Sequence, residues 1–142
     1  MMAELIFSDV WARSWGERLA TSDAYRTAAD KWEGDIVMVL EPDAKMGIEK
    51  QSVYLDLMHG DCREARAATE RDLDEAVYVI SARAENWKKI LEGSLDPIMA
   101  LMRGKLKLEK GNLGSLLPHT SAAKELVVAA REIETDFPEG WN

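Results

Sequence analysis

Sulfur chemistry is nearly absent from this chain: its 142 residues include one cysteine, Cys62. A lone thiol excludes an internal disulfide and any zinc site built from several cysteines. Histidine is almost as scarce, at two residues, His59 and His119. Long apolar runs are missing too. The densest, 36–40 and 126–130, fall far short of the roughly 20 residues that a membrane span needs. The opening residues Met1, Met2, Ala3 and Glu4 lack the basic-then-apolar pattern of a secretory signal, so a cytoplasmic protein is expected. Basic charge is in deficit, with 18 Lys and Arg against 26 Asp and Glu and a net charge of −8. Such a chain is repelled by phosphate backbones, and no nucleic-acid partner is expected. No glycine-rich nucleotide loop, His-Glu-x-x-His or Gly-x-Ser-x-Gly occurs in it, so no cofactor, resident metal or hydrolase nucleophile is indicated.

What is present is a normal globular composition, 46% hydrophobic and 31% charged, in a length suited to one domain spanning 1–142. Trp11, Trp15 and Leu19 recur at helical spacing behind Ser8 and Asp9, which predicts a first helix over 8–19. A second helix is predicted over 24–32, behind Ser22 and Asp23. Residues 36–40 form a β-branched and aliphatic run that predicts a central strand. Residues 52–59 alternate, with Val53, Leu55 and Leu57 on one face. Gly60-Asp61 then predicts a type II′ hairpin into a strand over 62–69. A fourth strand is predicted over 76–82, making a four-stranded meander.

The period then changes. Trp87, Ile90 and Leu91 share a helical face within 84–91, and Asp96-Pro97 opens a short helix. Residues 105–109 alternate as a strand with one wet face, and 121–134 is helical again. Residues 135–142 read as a loose tail. The order predicts an α+β fold with a mostly antiparallel sheet.

The segment from Trp87 through Gly93, Asp96-Pro97, Ile98-Met99-Ala100-Leu101-Met102 and Gly104-Lys105-Leu106-Lys107-Leu108 resembles the sterol carrier protein type 2 domain family. The hairpin block from Tyr54 to Arg66 is similar to prokaryotic stand-alone members of it. The resemblance covers about 25–130, leaving 1–24 as an N-terminal helical extension. It implies a five-stranded sheet with helices packed on one face, enclosing a hydrophobic tunnel. It also implies non-covalent binding, with or without transfer, of a fatty acid, fatty acyl-coenzyme A or sterol-like ligand, and no catalysis. Related domains act as dimerising accessory modules, which is the alternative reading.

On this resemblance the expected lining is Met38, Met58, Trp87, Ile98, Met99, Leu101, Met102, Leu116 and Leu117, since thioethers adapt to variable ligands. The same side chains serve equally as ordinary core. Lys105 and Lys107 lie in a locally basic stretch and are the expected head-group contacts; that stretch would also suit transient contact with an anionic membrane surface. Exposed Trp11 and Trp15 would suit a homodimer interface. His59 and Cys62, placed opposite each other by the hairpin, form with His119 the only candidates for catalysis or metal binding, and the orienting group and oxyanion site that catalysis needs have no signature. Asp56, Arg63, Glu64 and Arg66 interrupt apolar strands, either pairing on an exposed face or sitting near the cavity.

Overall fold

In the computed structural model, which describes residues 4–45, 47–133 and 135–137, the chain opens with a short strand β1 (Glu4–Leu5) and a helix α1 (Asp9–Ala20). The Ser8 hydroxyl accepts from the Trp11 amide at 3.1 Å and so starts α1. Ser22 caps α2 (Asp23–Ala28) in the same way. Then follow β2 (Glu33–Leu40), β3 (Gln51–Met58), β4 (Asp61–Ala67), α3 (Glu70–Glu75) and β5 (Tyr78–Ala82). The last third holds α4 (Ala84–Leu91), α5 (Pro97–Met102), β6 (Lys107–Lys110), α6 (Leu113–Leu116), a single 3₁₀ turn (Leu117–His119), α7 (Thr120–Arg131) and β7 (Thr135–Asp136). No described helix is long and apolar enough to cross a membrane.

The five main strands lie in the order β4-β3-β2-β5-β6. Three pairs are antiparallel, and β5 runs parallel to β2. The expected four-stranded meander is therefore only three strands long. All five residues of β5 are buried, so it requires an interior position. The intervening α3 lets the chain cross the sheet to reach one beside β2.

The β3–β4 turn also differs from expectation. Met58 pairs with Asp61, leaving His59 and Gly60 as the central residues, with φ of 49° and 86°. Both left-handed values define a type I′ turn, not II′. Its left-handed His59 is anchored through its ring nitrogens, 3.0 Å from the Asp30 carbonyl and 3.0 Å from a Glu33 carboxylate oxygen.

Alternation divides the sheet into two faces. Ile36, Met38, Leu40, Leu55, Leu57 and Ile80 face the main core with α1, α2, α4, α5 and α7. Val37, Val39 and Val79 face the other way, against Ala76 and Leu73, so α3 alone among the longer helical elements lies across the sheet from the rest. Trp11 and Trp15 are buried to 1% and 2% exposure, contrary to the expected exposed interface. The Trp11 indole donates to the Thr135 hydroxyl at 3.0 Å, and β1 and β7 pair in parallel beside it. Residues 135–137 are thus engaged, with Phe137 packed on the core; the remainder of the expected tail, 138–142, lies outside the described residues.

Candidate functional site

A cavity of about 80 Å³ lies between the sheet and the helices. Its floor is Ile36, Met38, Leu57 and Ile80 from the sheet, with Leu106 immediately before β6. One wall is Trp15, Tyr25 and Trp32. The α4 and α5 side supplies Trp87, Ile90, Leu91, Ile98 and Leu101, and the C-terminal part closes it with Leu116, His119, Ala122 and Leu126. Amphipathic helices laid over an alternating sheet produce such a seam: their indoles are too large to interdigitate completely, and a void remains where they meet.

Each indole in this wall is fixed by a hydrogen bond to a backbone carbonyl. Trp15 donates to Leu126 at 2.9 Å, Trp32 to Gly34 at 2.9 Å and Trp87 to Val39 at 2.9 Å. Their polar atoms are thereby satisfied, and the rings present hydrocarbon to the cavity. The void is smaller than the roughly 300 Å³ at which small-molecule sites begin. Anything the size of a lipid has to part the walls, and the flexible Met38 is one side chain able to yield.

Of the residues expected to line a cavity, Met38, Trp87, Ile98, Leu101 and Leu116 do so. Met58, Met99, Met102 and Leu117 do not. Met58 falls on the Tyr54 side of β3, opposite Leu55 and Leu57. Met99, Met102 and Leu117 are 41%, 59% and 42% exposed; the six-residue α5 presents Pro97, Ile98, Leu101 and the buried Ala100 inward and turns its two methionines out. Lys105 is exposed next to Leu106. Lys107 alternates away from Leu106 and Leu108, and its ammonium lies 3.6 Å from a Glu41 carboxylate on the far face of the sheet. It is therefore not placed to meet a head group in the cavity.

Nor does the structure pair Cys62 with His59. Cys62 lies opposite Leu57 and donates its thiol to the Glu64 carbonyl, while His59 is occupied in the turn. Burial pushes the Cys62 thiol up to about 11, the opposite of an activated nucleophile. His119, weighed only as a catalytic or metal residue, instead lines the cavity. Among the described residues no group of three or more His, Cys, Asp or Glu is arranged to hold a metal ion.

The puzzling charges pair on the sheet face remote from the cavity. Arg63 donates to Asp56 at 3.0 Å, and Arg66 donates to Asp72 at 2.6 and 3.2 Å while lying 4.5 Å above the Tyr54 ring. Sequence reading missed Trp15, Tyr25, Trp32 and Ile80 as lining: it put the first three at helical spacing but expected Trp15 to be exposed, and nothing local distinguishes a core position beside a void from one beside a neighbour.

No curated protein matches the chain, but solved structures do. A crystal structure of sterol carrier protein 2 shares 43% identity at a TM-score of 0.81, over 90% of this chain and 98% of that one. The solution structure of a conserved hypothetical protein from Thermus thermophilus, described as possibly a sterol carrier protein, shares 41% at 0.83, over 96% and 94%. Sterol carrier protein 2 from Aedes aegypti, solved in complex with the C16 fatty acid palmitate, has the same fold at 14% identity and a TM-score of 0.52, over 87% and 96%. Residues 16–118 match the SCP-2 sterol transfer family. With that match spanning well over half of its length, the chain belongs to the SCP-2 sterol transfer family.

Proposed function

We propose that this protein binds a lipid non-covalently in the cavity between its sheet and its helices and carries it without chemical change. The observation that supports this reading most is the wall: an almost wholly apolar, partly open seam whose three indole N–H groups are already satisfied. Such a surface offers an aliphatic chain what water does not, about 0.8 kcal/mol for each buried methylene. The palmitate complex of the Aedes aegypti protein is support at the level of the fold. Carriage between membranes adds transient contact with an anionic surface, for which the exposed Lys105 is suited, and a cytoplasmic setting. The competing reading, a dimerising module with no lipid of its own, drew on Trp11 and Trp15, and both are buried.

Native mass spectrometry of the purified protein, followed by organic extraction, is the direct test. A stoichiometric adduct released as a fatty acid or another lipid is expected. Protein that carries no adduct and ignores added fatty acid, fatty acyl-coenzyme A and sterol would remove the reading.

A further inference from the structure

Trp32, one of the indoles in the cavity wall, belongs to the connection 29–32 between α2 and β2. Three bonds from His59, in the β3–β4 turn, hold that connection. Its amide donates to the Trp32 carbonyl at 2.7 Å. Its Nδ1 lies 3.0 Å from the Asp30 carbonyl oxygen, and its Nε2 lies 3.0 Å from Oε1 of Glu33. The first bond continues the β2–β3 ladder one step beyond the Glu33–Met58 pair. The other two depend on the ring.

Both partners of the ring are acceptors. A carbonyl oxygen has no proton to give, and neither has an ionised carboxylate, so each ring nitrogen must carry its own proton for both bonds to stand. Only the imidazolium meets that condition. The neutral ring keeps one N–H and turns a lone pair toward the second oxygen. In agreement, the Asp30 carbonyl, with the Glu33 carboxylate and the Asp30 charge adding to it, holds the imidazole above its ordinary value of 6.5. The other charges around the turn are Arg26 of α2, Lys31 of the connection and Asp61 at the start of β4. The Arg26 guanidinium is engaged with Asp23 at 2.9 Å and with the Ala20 carbonyl at 2.8 Å.

The turn itself does not require histidine. Residues 59 and 60 have the two left-handed φ values of a type I′ turn, which Asn-Gly fills best. What histidine adds is a ring with two donors and a charge that changes near neutral pH. We propose that His59 is a pH-sensitive latch on the cavity wall: protonated, it pins the connection 29–32 and Trp32 with it, and on losing its proton it lets that corner open. The latch is complete below the ordinary imidazole range and is lost as pH rises through the elevated folded value. Resting on the lipid-binding reading above, a corner that opens more readily at alkaline pH is one place where the walls part for a ligand.

Hydrogen exchange of two indole protons on the full chain is the test. The Trp32 indole is bound to the Gly34 carbonyl, and the Trp87 indole to that of Val39 near the other end of β2. Protection is taken against free indole at the same pH. The ratio of Trp32 to Trp87 protection is expected to fall roughly twofold to fivefold between about pH 5.5 and about pH 8.5, a modest change because the His59 side chain is 54% exposed. In His59→Asn, which keeps a favoured I′ turn and has no titrating ring, the ratio should stay level. Glu33→Gln is expected to shrink the fall, since an amide can accept from the protonated ring or donate to the neutral one. A ratio that does not fall in the wild type, or that falls equally in His59→Asn, overturns the proposal. Release of bound cis-parinaric acid should quicken over the same interval in the wild type and not in His59→Asn; release indifferent to pH beside a falling ratio overturns the link to the ligand. Wild-type protein that takes up no parinaric acid counts against the lipid reading and leaves the latch, read by exchange, in place.

Discussion

Trp15 in α1 donates its indole N–H to the main-chain carbonyl of Leu126 in α7, at 2.9 Å and wholly inside the protein. One bond thus ties the first long helix to the last across 111 residues of sequence and holds one wall of the cavity upright. Trp15→Phe removes the donor and part of the ring volume together. A loss of about 2–3 kcal/mol is expected, read as a lower midpoint in urea with secondary structure retained.

Gly16, the next residue, is set by packing. A Cβ built on it would lie 2.6 Å from the Cβ of Ala65, where α1 crosses β4. On an open helix, glycine to alanine would gain about 1 kcal/mol. Here Gly16→Ala is expected to destabilise by about 1–3 kcal/mol, because the neighbour is a short side chain on a paired strand and cannot swing aside. A thermal melt that rises instead would show that α1 and β4 are less tightly apposed.

Asp72 should govern part of the acid response. The Arg66 guanidinium and the Thr69 amide hold its carboxyl at about 2, below its ordinary value of 3.8. A carboxylate with a depressed folded pKa contributes stability above its unfolded pKa, and that contribution is lost as pH falls through the folded one. Unfolding free energy should therefore decline between about pH 4 and about pH 2. In Asp72→Asn that portion of the slope should vanish, at a cost near neutral pH of about 2 kcal/mol from the weakened Arg66 pair and capping box. An unaltered acid limb in the variant would show that Asp72 does not set it.

Two adjacent residues of α5 should separate lining from surface. Leu101 faces the cavity, and Met102 is 59% exposed. Leu101→Arg places a charge against hydrocarbon, and uptake of a fluorescent fatty acid is expected to fall at least tenfold. Met102→Arg should leave uptake within about twofold, since its side chain already stands in water. Equal losses would show that α5 turns its outer face to the ligand.

Much of the fold was legible locally. The caps at Ser8, Ser22 and Asp96, the stripe Trp87-Ile90-Leu91 and the alternation at Val53-Leu55-Leu57 lie where their spacing indicated, because each depends on neighbours within one turn or one pleat. The place of β5 was not legible: its five apolar residues call for burial on both faces but do not specify which strand lies alongside. Nor was the I′ turn, since a left-handed His59 depends on partners as distant in sequence as Asp30. For the site, the resemblance pointed to α4 and α5, which supply part of the cavity wall, and not to α1, α2 or α7, and it could not separate Leu101 from Met102, because α5 is too short for one apolar stripe to stand out.

The sequence by itself determined an α+β fold of acidic charge, with no internal disulfide, since composition and short-range periodicity are properties of the chain alone, and its residues carried the resemblance to the sterol carrier family. The tertiary structure decided which apolar side chains meet a void and which meet a neighbour. It also decided that Cys62 and His59 stay apart, that Asp56 pairs with Arg63 behind the sheet, and that Tyr25 and His119 reach the cavity. These are contacts between segments far apart along the chain, and packing selects them only after every helix and strand has its place.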